Sequence, residues 1–591
     1  MGKIKLLLNI VPNFEKLLLK HMKKTSLKGL IFVLSAGSLM TSCDLLKDVK
    51  YTVAPNPLEM HGDSVKVSVT VTFPEKGIKK KAKVEVTPML GSTALKTVTI
   101  TGEKVESNGT QIPYKAGGTY TYNDVVAYKS DFENADLKVT GKVFKGDKEK
   151  DGQFEETKIA DATIVTPFWV NKDFKVIYHK DDFKRVTPQS TSAMINFDKG
   201  KSDLRPTEMK DKDMVDYKNW LVGAQSNPKI AITGISLNGW ASPEGEDAFN
   251  MNLSNERALT AEKAINEMAK SLKLEKLTPN VVKTYGNGPD NKGLKDYLKS
   301  STIGAADQDV IIRMMAISGK SDTTGATARK TLANLGKIYQ DLENICFPQL
   351  RRVEVKTNYD LTGYSDDELK SISKATPDTL DVEELLFTAT LTTDLNEKLR
   401  LYNIGIKNFA KDYRVHNNAG ATLYSLNKMT EAKAAFEKSN SIKENTIAKN
   451  NLAAIAGASG DRKKSRELLA QAKGAGEEVT YNNGILDVQD GKYSSAVTNF
   501  GKGSSFNLAL AQLLNGKPAD CISTVDSSVD KESAQGYYLK AVASARLDKV
   551  DAVASNLKNA FAKDASLKNK AANDREFLKY KDNATFTNVV K

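Results

Sequence analysis

Cysteine and histidine are scarce in this chain of 591 residues, with three of the first and four of the second. His21, His61, His179 and His416 are scattered, and no two share a helical or hairpin spacing, so no metal site is expected. Cys43, Cys346 and Cys521 stand far apart in the chain and imply no disulfide framework. Blocks of like charge are missing too. The net charge is +13, but residues 1–42 alone carry seven lysines against one glutamate, and beyond them lysines and acids alternate. That pattern lacks the basic arm of a nucleic-acid binder, and no nucleic-acid partner is expected. Gly-x-Ser-x-Gly, His-Glu-x-x-His and Cys-x-x-Cys motifs are absent. Gly319-Lys320-Ser321 ends like a phosphate loop, yet the glycine required five places earlier is Met314, in a helical pattern. The expectation is a protein that is not an enzyme and takes no cofactor.

A chain this long exceeds a single hydrophobic core, so several domains are expected. At the N-terminus Lys23, Lys24 and Lys28 precede an uncharged apolar stretch, residues 29–40, then Thr41, Ser42 and Cys43. The stretch is too short for a lasting span of a ~30 Å bilayer core and reads as a cleaved export signal over residues 1–42. The segment resembles the lipobox of bacterial lipoproteins, which implies lipid on Cys43 and anchorage in the outer membrane. The export signal is complete from Met22, which is the expected start.

Residues 43–185 are assigned to an antiparallel β-sandwich. Val65, Val67, Val69, Val71 and Phe73 alternate with Lys66, Ser68, Thr70 and Thr72, and shorter alternations follow, with turn residues such as Asn108-Gly109, Gly117-Gly118 and Gly146-Asp147 between them. The period of two is read as far as about His179, with Phe168 and Trp169 as core aromatics.

Residues 186–358 mix strands and helices. Met194-Ile195-Asn196-Phe197 reads as a strand, Pro206 opens a helix carrying Met214, Tyr217 and Leu221, residues 230–237 form a strand, and Ala258, Ala261, Ile265, Met268 and Leu272 mark a second helix. Here Ile195-Asn196-Phe197-Asp198 with Ser202-Asp203-Leu204-Arg205-Pro206, the run from Gly239 through Gly245, Asn250, Leu253-Ser254 and Arg257-Ala258, then Tyr285-Gly286 and Arg351-Arg352-Val353-Glu354-Val355, resemble the OmpA-like family. The resemblance implies an α+β domain that grips the peptidoglycan stem peptide, with an arginine fork on a carboxylate, an acid on an ammonium, and a helix N-terminus nearby. Carried over residue by residue, the candidates are Ser242, Asn250, Arg257 and Arg352. The family's acid is replaced by Ser242, and Glu244 is expected to take its role. Helical patterns between Tyr285 and Arg351 mark an insertion.

Residues 359–591 are assigned to an all-α helical repeat solenoid. Gly420, Ala432 and Phe436 recur as Gly484, Ala496 and Phe500, with a fainter copy between them at residues 452–469. This resembles the tetratricopeptide repeat, whose ~34-residue helix hairpin buries its apolar face only against neighbours. It implies a concave groove for peptide or protein.

The expected function is a non-catalytic envelope lipoprotein that tethers outer membrane to peptidoglycan and scaffolds partner proteins through its repeats, facing the periplasm. The alternative is a surface-displayed adhesin or fimbrial accessory lipoprotein.

Overall fold

The structure, a computed structural model, describes residues 45–151, 154–277 and 279–591. The export signal and Cys43 lie outside the described residues. The chain forms two compact units: Met1–His179 together with Lys398–Lys591, and Lys180–Glu397. No helix among the described residues is long and apolar enough to cross a membrane.

The first unit opens with the β-rich region. In the strand Ser64–Phe73 the valines and Phe73 turn inward and the polar residues between them outward, as a period of two requires. That strand pairs with Gly118–Ala127, Lys50–Val53 and Met60–His61. A second sheet runs in the order Lys148–Glu149, Asp136–Lys145, Ala82–Leu90, Val98–Gly102, Thr110–Ile112, and the two sheets share one core around Val67, Val84, Phe132 and Leu137. Each of these buried side chains stabilises the fold by ~1.5–3 kcal/mol over the exposed state. Among the described strands of this region pairing is antiparallel except where Val98–Gly102 meets Thr110–Ile112 in parallel, and an isolated parallel bridge joins Glu59 to Ile164.

The alternation does not continue as strand to His179. The last strand of this region is Thr157–Asp161, Thr166–Trp169 is a single 3-10 turn, and residues 170–184 belong to no helix or sheet. Phe168 is 55% exposed, and Trp169 stacks on Tyr538 of the helical region with ring centroids 4.5 Å apart, so neither belongs to the sandwich core.

The helical region of the same unit stacks antiparallel helix pairs: Tyr413–Ser425 with Met429–Ile442, Thr446–Ala458 with Arg462–Gln471, Glu478–Gln489 with Tyr493–Phe500, Phe506–Leu514 with Pro518–Asp526, and Ala534–Arg546 with Val550–Lys563. The recurrence of glycine and phenylalanine has a steric cause. A Cβ on Gly420 would lie 2.7 Å from the Phe436 ring, and one on Gly484 would lie 2.7 Å from the Phe500 ring, so each ring needs a residue without a side chain opposite it. Ala432 and Ala496 are fully buried between the paired helices. In the fainter middle copy Ala453 and Leu469 take these places, a smaller residue opposite allowing a methyl group. The β-rich region docks on this stack: Tyr493 Oη donates to Met60 O at 3.3 Å, Arg462 pairs with Asp63, and Thr166 Oγ1 donates to the buried Glu576 at 2.5 Å.

In the second unit the sheet order is Val186–Asn196, Arg352–Thr362, Ile230–Ala241, Val282–Pro289, with the last pair parallel. Lys212–Ser226 and Asp247–Ser271 pack on it through Met214, Tyr217, Leu221, Ala261 and Ile265. The first helix starts at Lys212, later than Pro206. Glu208, in a 3-10 turn before it, is drawn into the fold, accepts from Asn196 N at 2.7 Å and pairs with Arg205. The insertion is a set of helices including Asn291–Ser300, Ala305–Ser318 and Thr323–Ala333, with its own core of Leu294, Leu298, Ile311, Met315, Leu332 and Phe347. The strand Arg352–Thr362 runs past residue 358, and the capped helices Asp366–Ala375 and Val382–Thr390 belong to this unit, so the helical repeats begin later than residue 359.

Candidate peptide groove

Asparagine competes with the backbone for hydrogen bonds and is a poor residue inside a helix. Yet Asn417-Asn418, Asn450-Asn451 and Asn482-Asn483 each sit within the first helix of a hairpin, at steps of 33 and 32 residues, and Asn507 follows in the fourth. Apart from Asn483, these side chains are at most 2% exposed. Buried amides need partners. They find them in the chain's own residues 171–179, which lie along the helical stack.

Four residues of that segment are each gripped at both main-chain groups by one asparagine. The N–H of Asn171 donates to Asn507 Oδ1 at 2.8 Å, and Asn507 Nδ2 returns a bond to Asn171 O at 2.9 Å. Lys175 is held the same way by Asn482 at 2.7 and 2.8 Å, Ile177 by Asn451 at 2.7 and 2.8 Å, and His179 by Asn418 at 2.7 and 2.9 Å. Asn450 and Asn417 add bonds to Lys175 O and Ile177 O and tie the clamps together, Asn451 Nδ2 donating to Asn417 Oδ1 and Asn482 Nδ2 to Asn450 Oδ1. In extended backbone a residue's N–H and C=O point to one side, and the carboxamide offers one acceptor and one donor at matching separation. The segment runs against the order of the hairpins, its N-terminal end on Asn507 and its C-terminal end on Asn418.

Side chains add to this main-chain register. Phe174 is 2% exposed, with its ring in a notch on helix Thr446–Ala458 that exists because residue 457 is glycine: a Cβ there would lie 2.5 Å from the ring. Asp173 accepts from Tyr481 Oη at 3.0 Å and from Asn507 Nδ2 at 3.0 Å. Burial first, then the Asp173 carboxylate, hold the Tyr481 hydroxyl well above its ordinary pKa, so it stays a donor. Tyr424 Oη donates to Phe174 O at 3.1 Å. His179 sets its ring edge-on to Tyr413, with Nε2 3.2 Å from Asn445 Oδ1, and burial pushes its pKa down.

Reasoning from periodicity singled out Gly420, Ala432, Phe436, Gly484, Ala496 and Phe500, which pack the hairpins and hold none of the segment's main chain, although Val176 and Tyr178 pack against the cluster that contains Ala432 and Phe436. The asparagine pairs were missed. Their recurrence at the repeat period was visible in the sequence.

In the central unit Ser242, Glu244, Asn250 and Arg257 come together around residues 239–245, and Arg352 does not join them. Arg257 is 1% exposed and donates through Nε, Nη1 and Nη2 to the carbonyls of Lys201, Trp240 and Asp198 at 2.9, 3.0 and 2.9 Å. Burial, and then Arg351 nearby, push its pKa down to about 10, so it remains charged at neutral pH. It is Arg351 that faces the loop, donating to Ser242 Oγ at 3.2 Å and pairing with Glu244 at 3.0 Å. Arg352 pairs instead with the buried Asp290 at 2.6 Å. Asn250 Nδ2 is buried beside Gly245 without a hydrogen-bond partner. The helical insertion packs on this region: Asp247 N donates to Gly319 O at 2.8 Å, and Ser318 Oγ to Pro243 O at 3.3 Å. Gly319 therefore ends a helix against the Asp247 carboxylate, a poor seat for phosphate.

No family model and no curated protein matches the chain. Among solved structures, similarity is found to a tetratricopeptide repeat protein from Parabacteroides merdae ATCC 43184, at 14% identity over 34% of this chain and 85% of that one, TM-score 0.26. YrrB, a TPR protein with an unusual peptide-binding site, is 16% identical over 34% of this chain and 94% of its own, TM-score 0.20. Yeast Tom70 is 12% identical over 62% and 92%, TM-score 0.24.

Proposed function

We propose that this chain is a non-catalytic scaffold of the bacterial cell envelope whose helical repeats hold an extended polypeptide. The asparagine ladder carries this reading. The eight bonds that clamp residues 171, 175, 177 and 179 are all between 2.7 and 2.9 Å, and all use main-chain atoms that every non-proline peptide possesses. In the chain as it stands, the groove gives its own linker a fixed path. The proposal includes an outer-membrane anchor through lipid on Cys43, with the body facing the periplasm. The pattern of Lys23, Lys24 and Lys28, the apolar run and Cys43 supports it.

The test of the ladder is the triple variant Asn418→Ala, Asn451→Ala, Asn482→Ala. Trypsin should then cut after Lys172 and Lys175, both exposed at the side chain but lying between or at the clamped main-chain positions 171 and 175, far faster than in the native chain while the hairpins keep their helicity. Equal cutting rates would refute the grip. For the anchor, Cys43→Ser should move the protein from the membrane to the soluble fraction, and unchanged fractionation would refute it.

The tether to peptidoglycan is proposed for the loop at residues 239–245, with Asn250 offering its unpartnered amide, Glu244 and Arg351 the charges, and Arg257 holding the loop in shape. Sedimentation of the full chain with purified peptidoglycan tests it. Recovery in the pellet is expected for the native chain, and a protein that stays in the supernatant refutes it.

A further inference from the structure

The main chain of the resident segment is fastened by bonds that water can replace, while Phe174, Val176 and Tyr178 add apolar contacts with the helices. Asn417, Asn418, Asn450, Asn451, Asn482 and Asn507 face it with carboxamides, groups that lose little when an occupant leaves and solvent enters. A groove meant only as permanent core would be lined by apolar side chains, whose exposure is costly. Within residues 171–179 the one deeply buried apolar anchor is Phe174, and its notch is shaped for that ring by the glycine at 457. Immediately before it, Asp173 is met by two donors, Tyr481 Oη and Asn507 Nδ2. The lining thus combines a ladder indifferent to sequence with side-chain seats, the deepest of which takes an acid followed by phenylalanine, while Val176, Tyr178 and His179 pack more shallowly beyond it.

We propose that the groove is a binding site for extended peptides supplied in trans, that its preferred ligand carries an acidic residue followed by phenylalanine, and that residues 171–179 are a resident copy of that ligand. This rests on the reading of the repeats as a peptide-holding scaffold. The partner is a protein segment that is extended, lacks proline at the clamped positions, and places its acid against Tyr481 and its ring against Gly457. Because the resident is part of the same chain, its effective concentration is of millimolar order. A free peptide therefore competes poorly with the native segment and well with a weakened one.

The experiment uses the full mature chain and a fluorescein-labelled synthetic peptide of residues 170–181, read by anisotropy. The chain variant Phe174→Ala is expected to bind the peptide at least about tenfold more tightly than the native chain does, since loss of a buried aromatic anchor is worth a factor of that order. A peptide with alanine in place of phenylalanine, or asparagine in place of aspartate, should bind that variant chain at least several-fold more weakly. Adding Asn451→Ala and Asn482→Ala to the chain should weaken all peptides alike. If Phe174→Ala lowers helicity, Asp173→Ala serves as the weakened resident with the same expectations.

Equal binding of the phenylalanine and alanine peptides would overturn the acid-phenylalanine preference and leave the scaffold reading intact. Failure of every peptide to bind either folded variant would overturn the scaffold reading along with the proposal. A native chain that light scattering finds dimeric, and that becomes monomeric on Phe174→Ala, would assign the groove to a second copy and overturn the external partner.

Discussion

Gly457→Ala perturbs the groove at a single methyl group. The substituted helix, Thr446–Ala458, gains helix propensity, because alanine is the better helix former by ~1 kcal/mol. Its new Cβ would lie 2.5, 2.6 and 2.9 Å from three atoms of the Phe174 ring, where ordinary contact begins near 3.4 Å. The ring must retreat by about an ångström. Overpacking of that kind costs ~1–3 kcal/mol, and full withdrawal of the ring forfeits a comparable ~1.5–3 kcal/mol of burial. The helices themselves are not crowded, so the expected result is a local opening: faster tryptic cutting after Lys172 and Lys175 and faster amide exchange at residues 171–179, by roughly ten- to a hundredfold for ~1.4–2.8 kcal/mol. Global melting should fall little or even rise. Amide exchange across residues 171–179 that matches the native chain would refute the placement of Phe174 against Gly457. A general loss of helicity would refute the claim that the cost falls on the segment alone.

Ala432→Leu should lower the melting temperature through ~1–3 kcal/mol of overpacking, since Ala432 is fully buried between paired helices; an unaltered melting curve would mean those helices do not pack as described. His179 should make the segment acid-sensitive. Burial and the neighbouring Arg414 and Lys443 lower its pKa, against the opposing pull of Asn445 and Asp412, so the released segment binds more protons than the seated one. The seat should therefore weaken as pH falls below the ordinary value of 6.5, and a tryptic cutting rate, corrected for the enzyme's own profile, that is flat from pH 7.5 to 5.5 would refute this. Arg257→Ala should destabilise the central unit by about 3 kcal/mol or more, because three carbonyls lose a charged donor; differential scanning calorimetry checks it, and an unshifted transition refutes the fork. Burial raises the thiols of Cys346 and Cys521 to about 12, so neither should react with a disulfide reagent at pH 8 until the chain unfolds.

Local pattern determined much of this protein. Period-two valines placed the strand Ser64–Phe73, because alternate residues of extended backbone face opposite ways whatever lies beyond. Steps of three and four placed Met214, Tyr217 and Leu221 on one buried helix face, and the recurrence of Gly420 and Phe436 at Gly484 and Phe500 announced helix pairs in steric register. What local pattern could not carry was partnership between distant segments. Residues 171–179 look like strand because they are extended, but an extended chain is decided by what receives its hydrogen bonds, and here the receivers at the clamped positions are side chains more than 230 residues away in sequence. Likewise Arg257 and Arg352 stand in motifs that suggest a ligand, while the tertiary fold surrounds the first with carbonyls and turns the second toward Asp290. Periodicity reports which face of an element is buried. Only the folded chain decides what that face is buried against: the asparagine pairs recur at the repeat period, but the segment that meets them is chosen by geometry in three dimensions and carries no period of its own.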